Sequence, residues 1–271
     1  MQGADRHLVM QLDGQTAIIS GGLGDIGRAI ALELGERGAN VAMCDLHDPQ
    51  SSAVIEFAAE LERRQIKSTY HQIDVSDPDA IARWIDAVET DLGLPTLIVP
   101  NAAIVSLVRI CELTPMQWSR EMRVNLDGAF YMAQCAAKRL VSASRTGRII
   151  FIGSWVGFTP QTHIPAYCVT KAGLRMLCKV MALDLAPHGI LVNEVAPGNV
   201  DAGLSARIFE MNPEWRERNL KRVPIGEMSQ AYEVAYQVAH LCDPANRQMT
   251  GSVVLMDGGL SLMSGPNPDM N

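Results

Sequence analysis

The sequence predicts a single α/β domain: a doubly wound parallel sheet of about seven strands with helices on both faces. Three observations carry that reading. Short apolar runs of strand length alternate with segments of helical period from Thr16 to Met256, and apolar strands joined by helical crossovers form parallel sheets covered on both sides. The first apolar run opens directly into the glycine-rich stretch Gly21-Gly22-Leu23-Gly24-Asp25-Ile26-Gly27. The chain has 271 residues, of which 48 % are hydrophobic, enough for one substantial core.

Taken in order, Thr16-Ala17-Ile18-Ile19-Ser20 is a buried strand, and the glycine-rich turn after it starts a helix with apolar positions Ile26, Ala29, Ile30, Leu32 and Leu34. Gly38 ends that helix, and a second strand over 40–44 closes on Asp45. Strand, glycine-rich turn, helix, strand and acid is the order of a dinucleotide-binding unit. Small residues let the backbone approach a pyrophosphate, and the helix N-terminus offers free N–H groups and a positive dipole end. A glycine-rich turn alone is weak evidence, because many strand–helix turns need one. A helix over 50–65 and a strand over 68–73 follow, ending in Asp74-Val75. Ser76-Asp77-Pro78-Asp79 signals a helix start, and that helix runs to about Asp91. A strand over 96–99 leads into Pro100-Asn101-Ala102-Ala103, and Thr114-Pro115 opens a long helix that contains Asn125 and ends before Thr146. The fifth strand covers 148–152, the next helix 164–187 and the sixth strand 190–195, closing on Ala196-Pro197-Gly198-Asn199-Val200. After an irregular segment, a helix over 230–242 and a strand over 252–256 complete the pattern. The domain therefore spans 12–259, with an extension at 1–11 and a tail at 260–271.

Composition narrows the partners. The net charge is −7 and no basic run exceeds Arg63-Arg64 or Lys221-Arg222, which argues against nucleic acid or an anionic membrane as the main partner. Cys44, Cys111, Cys135, Cys168, Cys178 and Cys242 include no Cys-x-x-Cys pair and read as reduced core residues. Nothing in 1–11 resembles a signal peptide, and no stretch approaches the roughly 20 apolar residues of a membrane span. A cytoplasmic location is expected. The six histidines show no paired spacing, so no metal site is expected.

Chemistry concentrates between Ser154 and Lys171. Tyr167 and Lys171 are four residues apart, on one helix face and one turn apart. An ammonium beside a phenol favours the phenolate and draws its pKa down from about 10, so the tyrosine can exchange a proton with a carbonyl or alcohol oxygen. Ser154, at the end of the fifth strand, is placed to hold the same oxygen. Tyr-x-x-x-Lys alone describes an ordinary amphipathic helix equally well.

Several spaced motifs together resemble the single-domain short-chain dehydrogenase/reductases over about 12–259. The family's Thr-Gly-x-x-x-Gly-x-Gly motif falls on Ser20 to Gly27, its Asn-Asn-Ala-Gly motif on Pro100 to Ala103, and its Pro-Gly turn beside the nicotinamide on Pro197-Gly198. The catalytic asparagine, serine, tyrosine and lysine fall on Asn125, Ser154, Tyr167 and Lys171. The resemblance implies a Rossmann-type fold and hydride transfer between nicotinamide and a carbonyl carbon. In it Tyr167 gives or takes the proton, Lys171 lowers its pKa and holds the nicotinamide ribose, Ser154 steadies the substrate oxygen and Asn125 holds a water. It also implies cofactor contacts from Gly21, Leu23, Asp25, Ile26, Gly27, Asp45, Leu46, Asp74, Val75, Asn101, Ala102, Pro197, Gly198 and Val200. Asp74 reads equally as a helix-capping turn.

Asp45 selects NAD, because a carboxylate there accepts from the ribose hydroxyls and repels a 2′-phosphate, and Leu46-His47-Asp48 brings no Arg or Lys. The chain departs from the family at Asp25, which replaces a glycine and is expected to cap the helix, at Pro100 and Ala103, and at Ala202 where a threonine is common. Trp155, His163 and Asn199, with the loop 157–164 and the segment 204–223, are the expected substrate wall. It fits a small polyol or sugar, a hydroxy acid, or a keto group on a larger carrier such as a 3-oxoacyl thioester. A catalytically silent NAD-binding sensor is the reading from another class, and it would lack the proton-transfer residues. The family pairs helices between subunits, and the apolar Leu174, Met176, Leu177, Val180, Met181 and Leu183 fit a homotetramer or homodimer.

Overall fold

In the computed structural model, which describes residues 12–203 and 213–263, every predicted strand joins one sheet. The strands are β1 (Thr16–Ser20), β2 (Asn40–Asp45), β3 (Ser68–Gln72), β4 (Leu97–Val99), β5 (Gly147–Ile152), β6 (Ile190–Pro197) and β7 (Val253–Met256). All pair in parallel, in the order β3-β2-β1-β4-β5-β6-β7. Alternate side chains feed two cores, as the pleat requires. Ala17, Ile19, Ile150 and Ile152 pack with α1 (Asp25–Glu36) and α2 (Ser52–Arg63) on one face. Ile18, Ile149 and Phe151 pack with α3 (Pro78–Leu92), α5 (Gly128–Ser142) and α6 (Pro165–Leu185) on the other.

Local chemistry sets the helix starts. The Asp77 carboxylate accepts from the N–H groups of Asp79 and Ala80 at 2.9 and 3.1 Å. Thr114 and Gln117 form a capping box on α4 (Pro115–Met122), with Pro115 at its first position. Two elements differ from expectation. The long helix that begins after Thr114 is interrupted by a π-turn at Arg123–Asp127 before α5 begins. Periodicity cannot foresee one extra residue in a turn, and such bulges gather at functional sites. The segment read as irregular after Asn199 contains α7 (Pro213–Lys221), ahead of α8 (Ala231–Cys242). Cys111 is exposed rather than in the core, while Cys44, Cys178 and Cys242 are buried as expected. The 1–11 extension, most of the tail, and Leu204, Arg207, Ile208, Phe209, Glu210 and Met211 lie outside the described residues.

The strand order positions the site. The winding runs outward from β1 through β2 to β3, then outward from β4 to β7, so a crevice opens above the carboxyl ends of β1 and β4. A cavity of about 870 Å³ occupies it.

Trp84 tests the packing. It is buried on α3, and its indole N–H has no partner. Trp84→Ala should cost about 3–5 kcal/mol in urea unfolding. Trp84→Phe should cost clearly less, because it removes an unpaired buried donor along with some volume.

Candidate active site

One end of the cavity is built of backbone. Gly21 sits at φ +64°, and a Cβ on Gly27 would lie 2.2 Å from the Gly21 carbonyl oxygen, so the turn closes only with glycine there. Gly24 is the N-cap of α1 and carries no side-chain cap, which leaves the N–H groups of the first turn without a side-chain acceptor. Asp25 does not cap the helix, contrary to expectation. It occupies the first helical position, and its carboxylate accepts from the Gly203 N–H at 2.6 Å. The Pro100 turn is held from β1: Ser20 Oγ accepts from the N–H groups of Asn101 and Ala102 at 3.0 and 3.1 Å. Asn101 Nδ2 donates to the carbonyls of Ser20 and Gly21.

Asp45 ends β2 with one carboxylate oxygen accepting from the Leu23 N–H at 3.1 Å and the other from the Leu46 N–H at 2.7 Å. One oxygen thus faces the glycine turn, and the other faces the chain after β2, where His47 Nδ1 also lies 3.2 Å from it. Asp74 accepts from the Ser76 N–H at 2.9 Å. It therefore shapes a turn and also lines the cavity beside Val75. Pro197, Gly198, Val200 and Ala202 line the wall that follows β6.

At the other end, α6 presents Tyr167 and Lys171. The Lys171 Nζ lies 5.3 Å from the Tyr167 ring centroid and donates to the Ile152 carbonyl at 2.7 Å. Ser154 follows β5, and its Oγ accepts from the Val156 N–H at 3.3 Å, capping the short helix Trp155–Gly157. Asn125, inside the π-turn, exchanges two hydrogen bonds of 2.8 Å with the backbone of Ile104 and donates to Thr170 Oγ1 at 3.3 Å. It thereby ties the loop after β4 to α6.

The electrostatics differ from expectation at one point. Burial pushes the Tyr167 hydroxyl above its usual value, with smaller contributions from Cys168 and Glu121. Burial also draws Lys171 down to about 8, opposed by Glu194. The lysine was expected to lower the phenol. Instead desolvation dominates both groups, and Nζ is spent on a carbonyl.

The wall expected to face a substrate assembles from separate connections. His163 and Trp215 pack with their rings tilted by 48° and their centroids 5.4 Å apart. The His163 carbonyl accepts from the Val108 N–H at 2.9 Å, and Asn199 donates to Asn219 at 3.4 Å. Trp155 is buried against Val156 and Leu260. Gln161, Asn219 and Arg222 also line the cavity and were not singled out in the sequence.

The residues fit a nicotinamide dinucleotide, because a cradle without Cβ atoms faces the cavity at one end and the Tyr167–Lys171 pair closes the other. A family model described as enoyl-(acyl carrier protein) reductase matches residues 22–261. The 3-oxoacyl-(acyl-carrier-protein) reductase of Pseudomonas aeruginosa is 30 % identical over 251 residues, covering 93 % of this chain and 99 % of that one. The chain belongs to the short-chain dehydrogenase/reductase family. Among other members of the family, the sorbitol dehydrogenase of Cereibacter sphaeroides is 31 % identical over 258 residues, covering 92 % of this chain and 98 % of that one. The crystal structure of a gluconate 5-dehydrogenase from Burkholderia cenocepacia in complex with NADP and tartrate superposes with a TM-score of 0.87 at 29 % identity, covering 94 % and 98 %. As a short-chain dehydrogenase/reductase, the chain is an oxidoreductase with a nicotinamide cofactor.

The cradle has a direct test. Gly27→Ala must displace the Gly21 carbonyl, so NADH binding, followed by its fluorescence, should weaken by about tenfold or more. An unchanged affinity would mean that the turn does not hold the pyrophosphate.

Proposed function

We propose that the protein is an NAD(H)-dependent enzyme that interconverts a secondary alcohol and a ketone, with Tyr167 as general acid and base. The observation that carries this is the placement of Ser154, Tyr167 and Lys171 along one end of the cavity whose other end is the glycine turn. The bound nicotinamide supplies or accepts the hydride. Gly21, Leu23, Ile26 and Gly27 receive the diphosphate end, with Asn101 and Ala102 as their backing. Asp45 and Leu46 take the adenosine ribose, Asp74 and Val75 the adenine, and Pro197, Gly198 and Val200 the nicotinamide side. Ser154 holds the substrate oxygen by hydrogen bond. Tyr167 donates its proton to that oxygen during reduction and withdraws it during oxidation. Lys171 orients the nicotinamide ribose and supports the phenolate, and Asn125 sets the loop and helix between which protons reach Lys171.

Two features support NAD over NADP. Asp45 would face a 2′-phosphate across a few ångströms. The nearby cation on that wall, Arg28, is committed to the carbonyls of Leu23 and Ala53 and to the Phe57 ring. The Burkholderia neighbour holds NADP, so the choice must be decided locally. A like-charge contact at 4 Å is worth about 4 kcal/mol at an effective dielectric of 20, before relaxation. We expect a preference near a hundredfold, about 2.7 kcal/mol. The amides of Gln161, Asn199 and Asn219 beside His163 suit a sugar, polyol or other small hydroxy compound. The Pseudomonas relative supports a second reading, a 3-oxoacyl-thioester reductase.

The protein is proposed to act in the cytoplasm as a homotetramer or homodimer. Met176 and Leu183 on α6 are 60 % and 82 % exposed, and with Val169 and Val180 they form an apolar stripe of the kind that marks an interface.

Four measurements follow. In a panel of alcohols, sugars and carbonyls assayed by NADH absorbance, Tyr167→Phe should lose at least about a thousandfold in kcat while still binding NADH; a variant with the parent rate ends the mechanism. The ratio of kcat/KM for NAD and NADP should narrow in Asp45→Ser, chiefly through better NADP binding, and indifference to that change assigns ribose recognition elsewhere. Oxidation requires the deprotonated tyrosine and reduction the protonated one. Burial raises the Tyr167 hydroxyl above its usual value, so oxidation should climb, and reduction fall, as pH rises on the alkaline side of neutrality; an oxidation rate that does not rise there contradicts the assignment. Light scattering that gives the 29.5 kDa monomer mass would remove the oligomer.

A further inference from the structure

Behind the catalytic residues lies an ion pair that the proposed chemistry leaves unused. Glu194 stands on β6 between Phe151 of β5 and Val253 of the edge strand β7, and is 0 % exposed. An isolated carboxylate there would be very costly. Arg175, one turn beyond Lys171 on the same face of α6, meets it with two hydrogen bonds: Nε to one oxygen at 3.1 Å and Nη2 to the other at 2.7 Å. The guanidinium lies 3.3 Å from the Phe158 ring centroid, which covers it from the outer side.

The pair grips the segment that carries the catalytic serine. Arg175 Nη2 also donates to the Ser154 carbonyl at 2.9 Å. The neighbouring Ser154 backbone and Arg175 both draw the Glu194 carboxyl down against the upward push of its burial. The chain beside it is cleared for this purpose: a Cβ on Gly153 would come within 1.9 Å of a Glu194 oxygen, and one on Gly157 within 3.0 Å of Arg175 Nη1. The Ser154 carbonyl is thus held by a charged side chain in a desolvated place, where such bonds are strong.

We infer that Arg175 and Glu194 are positioning residues of the active site, locking the Ser154 backbone at the end of β5 and setting a carboxylate behind Lys171. The inference rests on the hydride-transfer reading for its kinetic consequences, but not for its electrostatic one. Glu194 opposes the effect of burial on Lys171. A pair with only a packing role would move neither the lysine titration nor the balance of kcat and KM.

The test compares Glu194→Gln, which removes the charge, with Glu194→Asp, which keeps the charge but shortens its reach to Arg175 and so to the Ser154 carbonyl that Arg175 holds. Protein labelled with 13Cε-lysine is titrated by NMR, and the Lys171 resonance is assigned by its loss in Lys171→Arg. Lys171 should titrate at lower pH in Glu194→Gln, by enough to shift its protonation ratio about tenfold, and near its parent pH in Glu194→Asp. In steady-state assays Glu194→Asp should lower kcat about tenfold or more with KM for the cofactor within about twofold, since the serine loosens while the glycine cradle is untouched. An unmoved Lys171 titration in a folded Glu194→Gln protein overturns the electrostatic role. A parent kcat in Glu194→Asp overturns the positioning role, and this arm decides if Glu194→Gln does not fold. If the parent turns over nothing in the panel while Lys171 shifts as expected, the hydride-transfer reading fails and the electrostatic role stands.

Discussion

The contact on which the site depends is the clasp between the ends of β1 and β4. A parallel sheet that reverses its winding leaves a gap there, and an open gap would expose the amides that follow each strand. Ser20 closes it with one hydroxyl that accepts two N–H groups, while the Asn101 side chain returns a bond to each of two carbonyls on the other side. The glycine turn is therefore pinned from behind. Its front, where Gly21, Gly24 and Gly27 line the cavity, is what remains to meet a ligand. Pro100, which replaces an asparagine of the family motif, gives up a donor without weakening the clasp, because its carbonyl still accepts from the Ile152 N–H at 3.3 Å.

From that clasp the rest is a matter of reach. Helix α6 carries Tyr167, Lys171 and Arg175 at intervals of four residues, so a single face delivers a proton carrier, an ammonium and a guanidinium to successive depths. Each is drawn from water, and each meets a different partner. Burial raises the phenol's pKa, the ammonium donates a hydrogen bond to the Ile152 carbonyl, and the guanidinium is matched by Glu194. Desolvation that would be prohibitive for three separate charges is tolerable for a graded series in which only the deepest member needs a full counter-charge.

The parts legible in the sequence were those encoded within a few residues of one another. The alternation of apolar runs gave all seven strands to within two residues, and the glycine turn, Asp45 and the Tyr167–Lys171 spacing are local signals with local physics. What escaped depends on contacts across the chain. The π-turn that seats Asn125 breaks the helical period by one residue, which no pattern of apolar positions reports. Asp25 looked like a cap because its residue type favours caps, yet the N-cap is Gly24 and the carboxylate finds its donor 178 positions away. Glu194 left a trace that could have been read: a carboxylate inside the apolar strand 190–195 demands a buried cation, and Arg175 lies on the face that already carried the lysine.

Asp25 also shows why the family's glycine at that position is not obligatory. A carboxylate in the first turn of a helix is favoured by the exposed N–H dipoles, but the same charge beside a diphosphate would be repelled. The two demands are reconciled by direction. The side chain leaves the glycine cradle and crosses to the Gly203 amide, where it is exposed and already partnered. That contact joins the start of α1 to the connection after β6, which also carries Asn199, Ala202 and, through α7, Trp215. The glycine turn and the connection after β6 are thus tied by one carboxylate. A substitution that restores glycine would free the cradle of a nearby charge while releasing the loop that shapes the substrate side.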